Sequence, residues 1–279
     1  MEVVRPVTVP STPERGELTA LLFHLRAADR PHAGPRPGVG PGRDRLGGMA
    51  GVVWGAIDVE QAEPSSWLVL ATGVVAVLAV TVDGVWRWAR GVVTIAHEAG
   101  HAAAALLTGR RLAGIRLHAD TSGLTVSVGR PTGPGMVLTA AAGYVSPSLV
   151  GLAGVALLAL DLVTVMLWSA VAVVAGMLAV VRNWFGALAL LVVGGTVAGV
   201  SLAAPAGVQA AAGYTLTWFM LLGAVRPVAE LRRARRYGPR TTDADALARL
   251  TGIPAGVWVV LFGLVTVGAL GLGGWLLLT

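Results

Sequence analysis

From Trp67 onward the chain alternates long apolar runs with short polar breaks, and each run is close to 20 residues long. At about 1.5 Å of rise per residue, a run of that length spans the ~30 Å hydrocarbon core of a bilayer. The pattern predicts an all-α polytopic membrane protein of about seven transmembrane helices, over residues 67–83, 91–108, 136–159, 162–181, 184–204, 208–225 and 255–278. Only Arg182 and Asn183 part the fourth span from the fifth. Pro147 predicts a kink in the third span, and Gly195 with Gly199 forms a GxxxG pair suited to close helix packing. Two of the polar breaks carry structure of their own. Residues 112–130 alternate apolar and polar positions around Ser122-Gly123, which predicts a small β-hairpin after the second span. In the break 226–253, residues 242–252 open with Thr242 and Asp243 in cap positions and close on Gly252. This predicts a short amphipathic helix.

Residues 1–48 lack any such run and hold seven of the 15 Pro and 12 of the 36 charged residues. They read as a disordered Pro/Gly/Arg-rich extension, because so polar a segment cannot bury enough surface to fold. No apolar h-region follows their charged start, so they do not form a signal peptide. Met49 offers a second start, which would make 1–48 a gene-start artefact and 49–279 the integral membrane domain.

Composition agrees with the pattern: 55% hydrophobic, 13% charged and a mean hydropathy of +0.72. All 21 basic residues are Arg, giving +6 and a pI near 11.1. Nucleic acid is excluded as the partner, since apolar runs separate the arginines instead of gathering them on one solvated face. The arginines report orientation instead. With a cytoplasmic N-terminus and seven alternating spans, 19 of the 21 fall inside and only Arg87 and Arg90 outside. That reading places a multi-pass protein in the cell membrane with its C-terminus outside. Zero Cys excludes disulfides, thiol nucleophiles, iron–sulfur clusters and Cys-ligated zinc. Any metal must be held by carboxylates and the five His.

Two of those His stand at metal spacing. His97-Glu98-Ala99-Gly100-His101 is an HExxH pattern in the second span, where positions i and i+4 share a helix face and both imidazoles can reach one ion. Zinc suits such ligands, and the intervening Glu98 sits where it can take a proton from a bound water. A polar packing cluster or a proton relay through His97, Glu98 and His101 is the competing reading, as for any charged group inside a membrane.

A catalytic zinc needs a third protein ligand. Asp83 and Asp161 fall at outer span ends, whereas His101 lies about 10 Å from the inner end of its helix. Among the inner carboxylates, Glu230 sits amid Arg232, Arg233, Arg235 and Arg236 and reads as a solvated ion pair. Asp120 reads as a turn residue. Asp243 and Asp245 stand just before the last span, where Asp243 is taken as the ligand and Asp245 as the alternative. Helix capping beside Thr242 competes for both. Tyr144, near the depth of His101, is a candidate oxyanion donor against a packing role. Asn183 is a candidate for holding substrate backbone against a turn role. His118 faces solvent or the site.

The HEAGH segment in a membrane helix, the hairpin behind it and AAGYVSPSLVG resemble the site-2 protease family of intramembrane zinc metallopeptidases. The compact, chiefly actinobacterial branch is closer still, since segments like VRNWFG and TTDADALARLTGIPAGVW recur there, and the resemblance covers roughly residues 90–275. It implies one zinc per chain, Glu98 as general base, and hydrolysis of peptide bonds in or beside membrane-spanning segments near the cytoplasmic face. The substrate is then a membrane protein or membrane-anchored peptide, and the hairpin could pair with an unwound substrate strand by β-addition. Family members commonly carry the third ligand in an Asn-rich LDG motif on a later helix. No such motif follows HExxH here, and the only DG, Asp83-Gly84, precedes it. Asp243 therefore rests on position and branch resemblance. No PDZ-like or CBS-like insertion is present. The intact HExxH favours a working zinc metalloendopeptidase, while the missing LDG leaves a retired protease acting as a membrane scaffold or chaperone as the rival.

Overall fold

Eight helices and one hairpin make up the described residues, 65–237 and 241–279, of the computed structural model. They are α1 (Ser66–Thr81), α2 (Asp83–Leu107), β1 (Arg111–Leu117), β2 (Gly123–Val128), α3 (Pro134–Ala159), α4 (Val163–Val180), α5 (Trp184–Ala203), α6 (Ala206–Tyr237), α7 (Asp243–Thr251) and α8 (Ala255–Leu278). The extension expected at 1–48 lies outside the described residues.

Five helices, α3, α4, α5, α6 and α8, are each long and apolar enough to cross a membrane. The first two expected spans behave differently: α1 and α2 pass that test only as a pair, and the pair is bent by 101°. At 16 residues, α1 extends only about 24 Å, short of the ~30 Å core. The break falls at Val82, in an extended conformation. Arg226 of α6 holds it. Its guanidinium donates to Val80 O, a carbonyl left free where α1 ends, and pairs with Asp83 in the first turn of α2. The Trp86 ring lies 5.0 Å beneath the same guanidinium. Glu230 completes the cluster, accepting from Trp86 Nε1 at 2.9 Å and lying 3.3 Å from Arg226 and 3.4 Å from Arg90. The ion pair expected of Glu230 thus forms with Arg90 and Arg226, not with the arginines that follow it. Counted as one broken span, α1–α2 brings the crossings to six. An even number sets residue 65 and the C-terminus on the same side, whereas seven spans set them on opposite sides.

Close approaches fix how the helices run. A Cβ on Gly151 or Gly154 of α3 would meet Leu221 or Thr217 of α6, so these two helices are antiparallel. Gly73 of α1 faces Trp218 and Val80 faces Arg226, so α1 and α6 run the same way. Ser146 Oγ of α3 donates to Ala96 O of α2 at 2.6 Å. The same hydroxyl lies 3.2 Å from Gly143 O, the carbonyl that Pro147 leaves without its helical N–H.

β1 and β2 pair antiparallel, with Ile115 opposite Thr125 and Leu117 opposite Gly123. The loop is His118–Ser122 rather than the expected Ser122-Gly123, because Asp120 Oδ1 accepts from both Ser122 N and Ser122 Oγ and Thr121 adopts a positive φ of 64°. Those bonds also hold the Asp120 carboxyl below its ordinary range. Ile115 and Leu117 bury against Ile95, Met177 and Leu190. The far edge of β1 is closed: Arg182 N donates to Ile115 O, and the Asn183 amide bonds both Leu117 N (3.2 Å) and Leu117 O (2.6 Å). No strand lies beside the far edge of β2 among the described residues.

Short α7 has the amphipathic form expected of residues 242–252. Its Ala244 and Leu247 are fully buried against Val228, Val259 and Phe262.

Candidate metal centre

Two elements converge on one point. His97 and His101 project from the same face of α2, and Asp243, the first residue of α7, comes to meet them. His97 Nε2 and His101 Nε2 are 3.1 Å apart, and Asp243 Oδ2 lies 3.3 Å from the first and 3.4 Å from the second. A tetrahedral ion with bonds near 2.0–2.1 Å has ligand–ligand edges of about 3.3 Å. The donor chemistry and the spacing both fit a small divalent cation such as zinc.

The surroundings orient these donors. His101 Nδ1 lies 2.6 Å from Thr139 O, a carbonyl that can only accept; the proton therefore sits on Nδ1, and Nε2 turns its lone pair inward. Tyr144 stands edge-on to His97, with ring centroids 4.8 Å apart, and stacks on Phe262 at 5.1 Å.

Glu98, 3% exposed, points to the hairpin side of α2. Its Oε2 accepts from Thr125 Oγ1 at 2.6 Å, and one turn earlier Thr94 Oγ1 donates to Thr121 O at 2.8 Å. The hairpin loop and strand β2 are thereby each tied to α2. Two clefts flank the ligands. One of about 320 Å³ is lined by Glu98, His101, Thr125 and Asp243, and one of about 360 Å³ by His97, Gly123, Tyr144 and Asp243.

Two glycines make this crowding feasible. A Cβ on Gly143 would overlap the Nε2 atoms of both His101 and His97, and one on Gly123 would overlap the Glu98 carboxylate. The sequence pattern gave Gly123 only a turn role and did not single out Gly143, Thr125 or Thr139. Each acts only through a partner on another element.

Other candidates are engaged elsewhere. Asp245 is 5% exposed; its Oδ2 accepts from Thr242 N (3.1 Å) and Oγ1 (2.6 Å), and its Oδ1 from Arg235 (2.9 Å). This is a capping box closed by an ion pair. Burial alone would raise the Asp245 carboxyl, but the Thr242 and Arg235 bonds hold it below the ordinary value. The Asn183 amide is taken up by Leu117, away from the cleft. The exposed His118 ring lies 3.2 Å from Ser122 Oγ, on the hairpin loop.

Several apolar helices long enough to cross a membrane, with a His-His-Asp group that could hold a metal ion beside a buried glutamate, define the class as a multi-pass membrane protein. A family model described as Peptidase M50B-like matches residues 70–273. The chain belongs to that family and so to the site-2 protease group of membrane peptidases. No curated protein and no solved structure matches it.

Proposed function

We propose that the protein is an intramembrane zinc metalloendopeptidase in which His97, His101 and Asp243 hold one zinc and Glu98 is the general base. The convergence of three donor atoms at 3.1–3.4 Å, with a buried carboxylate on the next residue of the same helix, carries this reading. Zinc bound there supplies Lewis-acid polarisation and lowers the pKa of a water. Thr125 occupies Glu98 Oε2, which leaves Oε1 to take the proton as water adds to the scissile carbonyl. Glu98 then returns that proton to the amide nitrogen as the C–N bond breaks. Tyr144, edge-on to His97, is placed to donate to the oxyanion.

The substrate is an unwound segment of a membrane helix, which adds as a strand to the open edge of β2. The closed edge of β1 supports this choice, since Asn183 and Arg182 already use its main-chain groups. Asn183 then serves by steadying the hairpin rather than by touching substrate. Arg110, Arg111, Arg116, Arg130, Arg182 and the end of α6 face the cytoplasm, and the C-terminus faces out. With six crossings, residue 65 lies outside as well, in place of the cytoplasmic start that seven crossings give.

Metal analysis of purified protein tests the ligand set. Wild type is expected to carry about one zinc, and His97→Ala, His101→Ala and Asp243→Ala to lose most of it. Asp245→Ala is expected to keep it. Zinc retained by Asp243→Ala, or lost only from Asp245→Ala, would overturn the assignment.

A further inference from the structure

Away from the metal centre, a groove of about 760 Å³ runs between α6 and α8. Val228, Val259, Gly263 and Thr266 form its floor, and Arg232, Arg233, Arg235 and Arg236 line its mouth. The two helices are antiparallel here, since Gly263 faces Val228 and Gly273 faces Leu221. Gly256 and Gly263, two turns apart on α8, keep the groove open. A Cβ on Gly256 would meet nothing within 4 Å, and one on Gly263 only the Val228 side chain at 4.0 Å.

The two ends of this groove ask for different chemistry. Its depths are apolar and continue onto Val260 and Leu264, which are 61% and 66% exposed on the outward side of α8. At its mouth Arg232, Arg233 and Arg236 are exposed, and none has a carboxylate within ion-pair distance among the described residues. Arg235 spends one amine on Asp245, while its buried Nε has no partner among the described residues. Unpaired guanidinium forks bind phosphate oxygens strongly, and basic pockets between transmembrane helices favour anionic headgroups. A soluble acidic partner would satisfy the arginines but leave the apolar length below them empty. A phosphate joined to hydrocarbon satisfies both.

We propose that the α6–α8 groove is a binding site for an anionic phospholipid, its phosphate held by Arg232, Arg233 and Arg236 and its acyl chain lying over Val228, Val259 and Gly263. The site is independent of peptidase chemistry, so it can stand or fail without the proposed function.

The test is native mass spectrometry of the full chain released from detergent and titrated with dioleoyl phosphatidylglycerol or dioleoyl phosphatidylcholine. Wild type is expected to hold one phosphatidylglycerol at least tenfold more tightly than phosphatidylcholine. Arg232→Gln/Arg233→Gln/Arg236→Gln should remove that preference and leave phosphatidylcholine binding unchanged. Gly256→Leu/Gly263→Leu, which fills the groove and keeps every arginine, should weaken phosphatidylglycerol about tenfold. An undiminished preference in either variant would overturn the proposal. So would competition by glycerol phosphate as effective as that of the lipid, which would reduce the site to a surface anion patch.

Discussion

At Gly143, the space a methyl group would fill is already taken by the Nε2 atoms of His97 and His101. Gly143→Ala is therefore expected to weaken zinc binding by about ten- to a hundredfold, the range typical of disturbed supporting shells. Helix content by circular dichroism should be unchanged. Thr125 acts on the other side, through its 2.6 Å bond to Glu98. Thr125→Ala should slow cleavage roughly tenfold at unchanged zinc content, and Thr125→Ser should restore it, because the hydroxyl and not the methyl orients the carboxylate. Equal losses in the two variants would point to packing instead. His97, Glu98 and His101 were legible because their relation is local, one turn of one helix. Gly143, Thr139 and Thr125 were not, because each matters only through an atom on α2 that packing brings to it.

Among the elements, α7 carries the proposed ligand farthest in sequence from HExxH, and its capping box adjoins Asp243. Asp245 bonds Thr242 and Arg235 in its charged form, so its folded pKa lies below the unfolded value. The stability it contributes is fully present above the unfolded carboxylate pKa of about 4 and is lost as pH falls through the folded value. Asp245→Asn should lower thermal stability by about 0.5–2 kcal/mol at neutral pH, as lost caps do. The gap to wild type should close in scans toward pH 3; a gap constant with pH would contradict this. Sequence pattern found α7 and the hairpin because capping residues and period-two alternation are local signals. It mislaid the hairpin loop, since an Asx bond at Asp120 moves the turn upstream of Ser122-Gly123. It also read α1 and α2 as separate spans. Hydropathy cannot register that Arg226, more than a hundred residues later, caps the end of α1 and pairs with the start of α2.

For the whole molecule, counting that elbow as one crossing sets the two ends of the described residues on the same side. The absence of Cys makes single introduced cysteines clean reporters. Ser65→Cys and Thr279→Cys should both react with an impermeant maleimide from the same side of sealed vesicles, and labelling from opposite sides would restore seven crossings. Arginine asymmetry proposes an orientation for the later helices, and the parity of crossings depends on whether the bent pair is one span. Above topology stands the chemistry proposed for the fold: α2, α7 and β2 set the proposed metal ligands, the proposed base and the β2 strand around two clefts that share His97, Glu98 and Asp243. The most direct test is cleavage of a reconstituted single-span membrane protein, chosen from fragments that appear only with the active enzyme, by wild type and by Glu98→Gln. The expected result is a cut in or beside the membrane segment by wild type, and none by a Glu98→Gln protein that still carries its zinc. Cleavage by Glu98→Gln at the wild-type rate would contradict the account.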